Sequence, residues 1–117
     1  MSTSILTAAF QPVRKAAAGL LEIELSTSYG TRALKVRGKL VCRLLEDGDS
    51  LVLRTDFVSR EVMLTAQPAL SYITEHYRNY PYVLVRLSKV RPAALRELLA
   101  DSWGLVAPKS LIAKSRK

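Results

Sequence analysis

The sequence predicts an α+β fold, a five-stranded antiparallel sheet packed on helices, and three observations carry that expectation. Residues 33 to 56 alternate apolar and polar side chains in three runs, broken at Gly38 and at Asp47-Gly48. A period of two belongs to strands, and an Asp-Gly step supplies the positive φ of a hairpin turn. Residues 81 to 87, PYVLVRL, are a strongly hydrophobic, β-favouring run. From Pro92 the apolar positions Leu95, Leu98, Leu99, Ser102, Trp103 and Val106 switch to the i, i+3, i+4, i+7 spacing of a core-facing helix.

Taken in order, residues 1 to 4 read as frayed, and Ile5 to Ile23 reads as a helix with Leu6, Phe10, Val13, Ala17 and Leu20 on its apolar side. Pro12 either sits in its first turn or marks a kink. Residues 26 to 31, STSYGT, form a polar connector to the first strand. The meander then places Leu34 and Val36 on one face of that strand. Leu40, Cys42 and Leu44 share a face of the next, and Leu51 and Leu53 a face of the third. Val58 to Ala66 reads as a short helix with Ser59 as N-cap and Gln67-Pro68 as its stop. Leu70 to Thr74 is a brief strand. Pro81 to Leu87 is a buried one, with Val83, Val85 and Leu87 opposite Tyr82, Leu84 and Arg86. Pro92 opens the last helix, Trp103 anchors it and Pro108 ends it. The order is α-β-β-β-α-β-β-α, a single domain over residues 1 to 108 with a basic tail over 109 to 117.

A chain of 117 residues supports one core without disulfides or a structural metal. Its single cysteine, Cys42, occupies an apolar strand position and reads as packing; with no intrachain disulfide possible, the expected compartment is the cytoplasm. No apolar run approaches the roughly 18 residues of a membrane span, and the N-terminus lacks the basic start and long apolar stretch of a secretion signal. The net charge is +8, half of it in the last nine residues. Within the body, Arg32 to Arg43 holds five basic residues and no acid, a local patch.

Lys35, Arg37, Lys39, Arg43 and Arg54 fall at outward positions of the meander. Residues two apart along a strand are about 6.7 Å apart, inside a Debye length of about 8 Å, so these cations reinforce one another as a candidate anion-binding surface. The alternative is the polar outer face that any half-buried sheet needs. Residues 72 to 82, YITEHYRNYPY, gather four of the five tyrosines, the single histidine and Arg78. That mixture suits base stacking or phosphate holding, or tyrosines that bury their rings and bond their hydroxyls. His76 has no second histidine or cysteine pair at ligand spacing, so no metal or other cofactor is expected. No phosphate loop, GxSxG elbow or paired carboxylates appear, and the chain does not read as an enzyme. Glu46, Asp47 and Asp49 at the second turn read as solvated.

Four stretches, SYGTRALKVRGKLVCRL (28 to 44), DGDSLVLRTD (47 to 56), HYRNYPYVLVRL (76 to 87) and LVAPK (105 to 109), together resemble the MmcQ/YjbR-like family of small bacterial proteins. The resemblance implies a two-layer α-β(3)-α-β(2)-α architecture similar to that of secretion chaperones, and a DNA-binding role with the hairpins as wings. The chain departs from the family at Leu21-Glu22, where members have Pro-Gly.

The function these readings favour is non-catalytic, weakly sequence-specific DNA binding, with Lys35, Arg37, Lys39, Arg43 and Arg54 on phosphates and Arg78 and the tail as auxiliaries. Five strands of about five residues present roughly 400 Å², short of the roughly 600 to 1,000 Å² of a single DNA-binding module. Hairpin tips, the tail or a homodimer must therefore contribute. Two other classes stand beside it: a chaperone-like module that receives a protein partner on the sheet or its edge, and a small-ligand binder with His76, Tyr80 and Arg78 around a pocket.

Overall fold

The computed structural model describes residues 8–116. Among them the order is helix α1 (Gln11–Ala16), strands β1 (Ile23–Ser28), β2 (Thr31–Val36), β3 (Lys39–Leu44) and β4 (Ser50–Arg54), and helix α2 (Phe57–Ala66). There follow strand β5 (Ser71–Tyr72), a 3₁₀ turn (Glu75–Tyr77), strand β6 (Tyr82–Arg86), and helices α3 (Pro92–Val106) and α4 (Lys109–Ser115). The strands form one open antiparallel sheet in the order β1-β2-β3-β4-β6-β5. The fold is α+β, with six strands where five were expected. No helix among the described residues is long and apolar enough to cross a membrane.

The additional strand is β1, where the sequence suggested the end of a helix and a polar connector. Helix α1 stops at Ala16, and Gly19 and Glu22 take positive φ (96° and 56°), conformations that no α-helix accommodates. The chain then pairs with β2 from Ile23↔Val36 to Ser28↔Thr31. An edge strand exposed along much of its length tolerates the polar IELSTS sequence, which hides it from a hydrophobicity reading. The residues 1 to 4 expected to fray, and the start of the expected first helix, lie outside the described residues; Pro12 does fall in the first turn of α1.

Two tight hairpins hold β1, β2 and β3 together. Tyr29 and Gly30 (φ 52° and 82°), then Arg37 and Gly38 (φ 49° and 82°), are the central residues of two-residue turns that both need positive φ. Arg37 is thus a turn residue and projects from no strand face. Between β2 and β3 the register shifts: Leu34 faces Cys42 but Lys35 faces Leu40, which leaves Val41 as the extra residue of a β-bulge. Val41 and Cys42 both enter the core, and Leu40 moves to the other side of the sheet, away from the Cys42 and Leu44 with which alternation grouped it.

The helix-backed side carries the main core. Leu34, Val36, Val41, Cys42, Leu44, Leu51, Leu53, Val83 and Val85 pack beneath Leu95, Leu99 and Trp103 of α3 and Phe10 and Val13 at α1. Helix α3 lies across β3 and β4 and packs against α1. Asp56, and not Ser59, caps α2: its carboxylate accepts from Ser59 N (2.7 Å) and Ser59 Oγ (2.9 Å), which holds the Asp56 carboxyl below its ordinary pKa. The segment read as a basic tail forms α4 over Lys109–Ser115, because Leu111 returns to the core and Ile112 packs against it.

Candidate functional site

The second side of the sheet is no open polar face. Ala33, Arg43, Val52, Leu84 and Tyr72 are cross-strand neighbours in a single row from β2 to β5. All are buried except Tyr72, which is half-buried. Arginine and tyrosine side chains pave this side. Arg43 lies 5.2 Å from the centre of the Tyr29 ring, Arg86 lies 4.1 Å from that of Tyr72, and Tyr77 meets Tyr82 edge to face at 5.9 Å. The Tyr72 hydroxyl is hydrogen-bonded to Ser50 Oγ.

Arg43 is the central side chain of this layer. It is 4% exposed, and its Nη2 donates to Glu46 Oε1 at 2.9 Å. Its Nε and Nη1 are buried and meet no hydrogen-bond acceptor among the described residues. Buried donors left unmet cost about 1–3 kcal/mol each, more when charged. The Arg43 side chain lines a pocket of about 330 Å³ together with Ser28, Tyr29, Leu40, His76, Tyr77, Tyr80 and Tyr82. A neighbouring cavity of about the same volume is built from Tyr29, Arg43, His76 and Tyr77 again, with Leu45, Glu46 and Thr74. Burial pushes the Tyr77 hydroxyl above its ordinary pKa although Arg43 opposes the shift, so it stays a neutral donor at physiological pH.

The wall formed by residues 77 to 82 is held from α2. Arg60, 7% exposed, directs Nη1 at the carbonyls of Tyr77 (3.2 Å), Tyr80 (2.8 Å) and Tyr82 (3.2 Å), and Nη2 at that of Arg78 (2.9 Å), with its guanidinium 4.8 Å from the centre of the Phe57 ring. Four backbone carbonyls take the place of a carboxylate at its two terminal nitrogens, while its Nε is buried without an acceptor among the described residues. Sequence reasoning passed over Arg60, because an arginine on a helix beside Glu61 reads as a solvated face.

The cations expected to form one patch are dispersed. Arg43 is buried and ion-paired with Glu46. Arg37, in its turn, forms a two-pronged pair with Glu22 (2.9 and 3.1 Å) that holds the Glu22 carboxyl below its ordinary pKa. Lys35 sits opposite Glu24 of β1, and Lys39 is in register with Val36 of the core side. Arg54 is half-buried opposite Tyr82, and its Nη1 is buried without an acceptor among the described residues. Arg78 is exposed, pairs with Glu75 at 2.8 Å and does not line the pocket. Of the residues singled out from the sequence, Arg43, His76 and Tyr80 are the ones brought together.

The acids of the second turn have structural partners. Asp47 Oδ1 accepts from Asp49 N and Ser50 N and its Oδ2 from Ser50 Oγ; burial raises its pKa, but these bonds outweigh it and hold the group low. Asp49 receives Ser88 N and Oγ, which ties the turn to the loop before α3. No cluster of metal-ligating side chains occurs among the described residues. Cys42 is fully buried, and burial drives its thiol pKa up, so it is no ready nucleophile.

On the helix side, a groove of about 570 Å³ runs between α2 and α3. Leu53, Met63 and Leu98 lie within it, and Val58 (76% exposed), Val62 (62% exposed) and Leu105 border it.

No family model matches the chain. Three uncharacterized mycobacterial proteins, one from Mycobacterium bovis and two from Mycobacterium tuberculosis, are 36% identical to it over 50 residues. The match covers 43% of this chain and 39% of each relative, so it spans well under half the length of the relatives.

Proposed function

We propose that this protein is a non-catalytic module that binds a small molecule in the pocket on the second side of its sheet. The observation that supports this is Arg43, a buried arginine that lines a tyrosine-rich cavity and has two N–H donors without an acceptor among the described residues. The volume lies near the lower end of the range for ligand sites, about 300–1,000 Å³, and few convergent polar groups among apolar and aromatic walls is their usual make-up. The DNA-binding reading draws less support, because two of its five meander cations, Arg37 and Arg43, are tied to carboxylates, and Lys39, opposite core-side Val36, lies on the other side of the sheet from Lys35 and Arg54.

Fragment screening by amide chemical-shift mapping tests the proposal. Single-ring fragments are expected to shift Tyr29, Leu40, Arg43, Tyr77 and Tyr80 together, and Leu40→Trp, which fills the pocket, is expected to weaken them at least tenfold. Shifts scattered over the surface, or unaffected by Leu40→Trp, would sink it. In parallel, a labelled duplex titrated across salt is expected to show no binding. A log–log slope near −4.5, the value for about five neutralised phosphates, would restore the polyanion reading.

A second reading is supported by the groove, where Val58 and Val62 expose neighbouring apolar side chains one helical turn apart. It would receive an apolar segment of a partner protein, in keeping with the likeness to secretion chaperones that the MmcQ/YjbR-like resemblance implies, although this chain sets four strands and not three before α2. Burying three such side chains yields roughly 4–5 kcal/mol before association costs, so the contact is weak and transient. Peptides selected from a displayed library on the full chain are expected to be apolar and to lose at least tenfold in affinity on Val62→Asp. Selected peptides indifferent to that substitution would dismiss the reading.

A further inference from the structure

Resting on the pocket reading, we propose a ligand class and a gate: the site takes a small aromatic monocarboxylate, its carboxylate on Arg43, and Tyr29 is the side chain that opens to admit it.

Charge sets the head group. The pocket lining contains one guanidinium and no second Arg or Lys, and that guanidinium already shares one N–H with Glu46. Its Nε and Nη1 donors remain unmet among the described residues and point to different sides of the guanidinium, so one further acceptor group can be met by one of them. A phosphate dianion would bring a second charge into a site with no second guanidinium or ammonium to receive it, next to the Glu46 carboxylate. A neutral amide oxygen would also accept a charge-assisted bond from the guanidinium, but it lacks the Coulomb attraction that an ionised acceptor adds. A carboxylate is the group that fits.

The walls set the body. Tyr29, Tyr77, Tyr80, Tyr82, His76 and Leu40 surround the guanidinium, and rings prefer offset or edge contacts with other rings at 4.5–7 Å. The lining already holds such an arrangement, with Tyr77 flanked edge-on by His76 at 4.7 Å and by Tyr82 at 5.9 Å. About 330 Å³ holds one ring and small substituents and leaves little room for two.

Tyr29 is the gate because of where the chain places it. Its ring covers Arg43 at 5.2 Å yet is 82% exposed, so little besides that cation–π contact retains it. It stands at the tip of the β1–β2 hairpin, where Gly30 follows and positive φ fixes the backbone. Side-chain rotation alone can therefore move the ring. The two cavities of about 330 Å³ share Tyr29, Arg43, His76 and Tyr77. When Tyr29 swings out they join, and Arg43 faces the combined space.

The test titrates the full chain with benzoate, benzamide and phenyl phosphate, followed by amide shifts and exchange line shapes. Benzoate is expected to bind at the pocket, benzamide at least tenfold more weakly, and phenyl phosphate no more tightly than benzoate. Arg43→Gln is expected to abolish benzoate binding. Because Arg43 is buried and that variant can misfold, Tyr29→Asn provides an independent arm: asparagine accepts positive φ, and loss of the ring is expected to raise the benzoate association rate at least threefold. Benzamide matching benzoate, or phenyl phosphate exceeding it, overturns the ligand class but leaves the pocket reading standing. An unchanged association rate overturns the gate. If neither benzoate nor any other fragment occupies the pocket, the underlying reading falls with it.

Discussion

Replacement of Arg60 by methionine is expected to destabilise the protein by about 3–4 kcal/mol. The side chain is buried, and its four contacts all go to backbone carbonyls of the segment between the 3₁₀ turn and β6. That segment has few ladder bonds of its own, so the guanidinium organises it from outside. A hydrogen bond to a charged donor contributes about 1.5–3 kcal/mol net. Four such bonds do not add, because carbonyls freed near the surface regain water, and a net loss near two full bonds is the reasonable expectation. Methionine keeps the aliphatic length, so the change falls on the guanidinium's hydrogen bonds and on its contact with the Phe57 ring. For a domain of this size the effect corresponds to a fall in Tm of about 12–16 °C, at roughly 4 °C per kcal/mol. Arg60→Lys is expected to recover only part of it, since one ammonium cannot span four carbonyls in the way a planar fork does. A Tm within about 2 °C of the parent would show that these bonds hold nothing together. At a temperature where Arg60→Met remains folded, the amide signals of Tyr77 and Tyr80 are expected to lose their response to pocket fragments, because the wall is no longer fixed.

What the sequence made legible follows what each residue type can signal. The meander was readable because Leu34, Val36, Leu51 and Leu53 alternate with polar residues and glycines mark the reversals. Helix α3 was readable because Pro92 and the stripe ending at Val106 are unambiguous. Strand β1 was not, since an edge strand with solvent along one side needs few apolar residues and IELSTS offers few. The bulge at Val41 was hidden for another reason: LVCRLL is apolar enough to obey either register, so only the pairing with β2 decides it. The candidate site failed at the same point. Arg43 was correctly placed on the side of β3 away from the core, but its exposure depended on what covers that side. The covering comes from the tyrosine-rich stretch after β5, far along the chain. Alternation reports which face a residue takes and says nothing about whether a second layer lies over it. The signal that could have joined the two was the stretch already noted around His76 and Tyr80. Four tyrosines within eleven residues need somewhere to bury their rings, and the sheet row of Ala33, Val52 and Leu84 is the apolar surface available.

Replacement of Trp103 by alanine is expected to cost about 4 kcal/mol, in the range of about 3–5 kcal/mol for emptying a buried indole site. Trp103 is 5% exposed within the main core, and its Nε1 donates to the carbonyl of Leu21 at 2.9 Å. That bond joins α3 to the turn that leads into β1, which has no helix of its own to hold it against the sheet. Two contributions are therefore present, and a second variant separates them. Trp103→Phe retains most of the ring volume but leaves the Leu21 carbonyl without its donor, and is expected to cost about 1–2 kcal/mol. If packing dominates, the alanine variant loses at least twice as much as the phenylalanine variant. If the two lose equally, the hydrogen bond to the turn is the main contribution, and hydrogen exchange in β1 should rise in both to the same extent. Because Trp103 is the only tryptophan, unfolding of the variants has to be followed by circular dichroism, whereas in the parent its fluorescence reports directly on this junction. A loss below about 2 kcal/mol for Trp103→Ala would mean that α3 is held chiefly by Leu95 and Leu99, and that the indole is an edge contact of the core instead of its anchor.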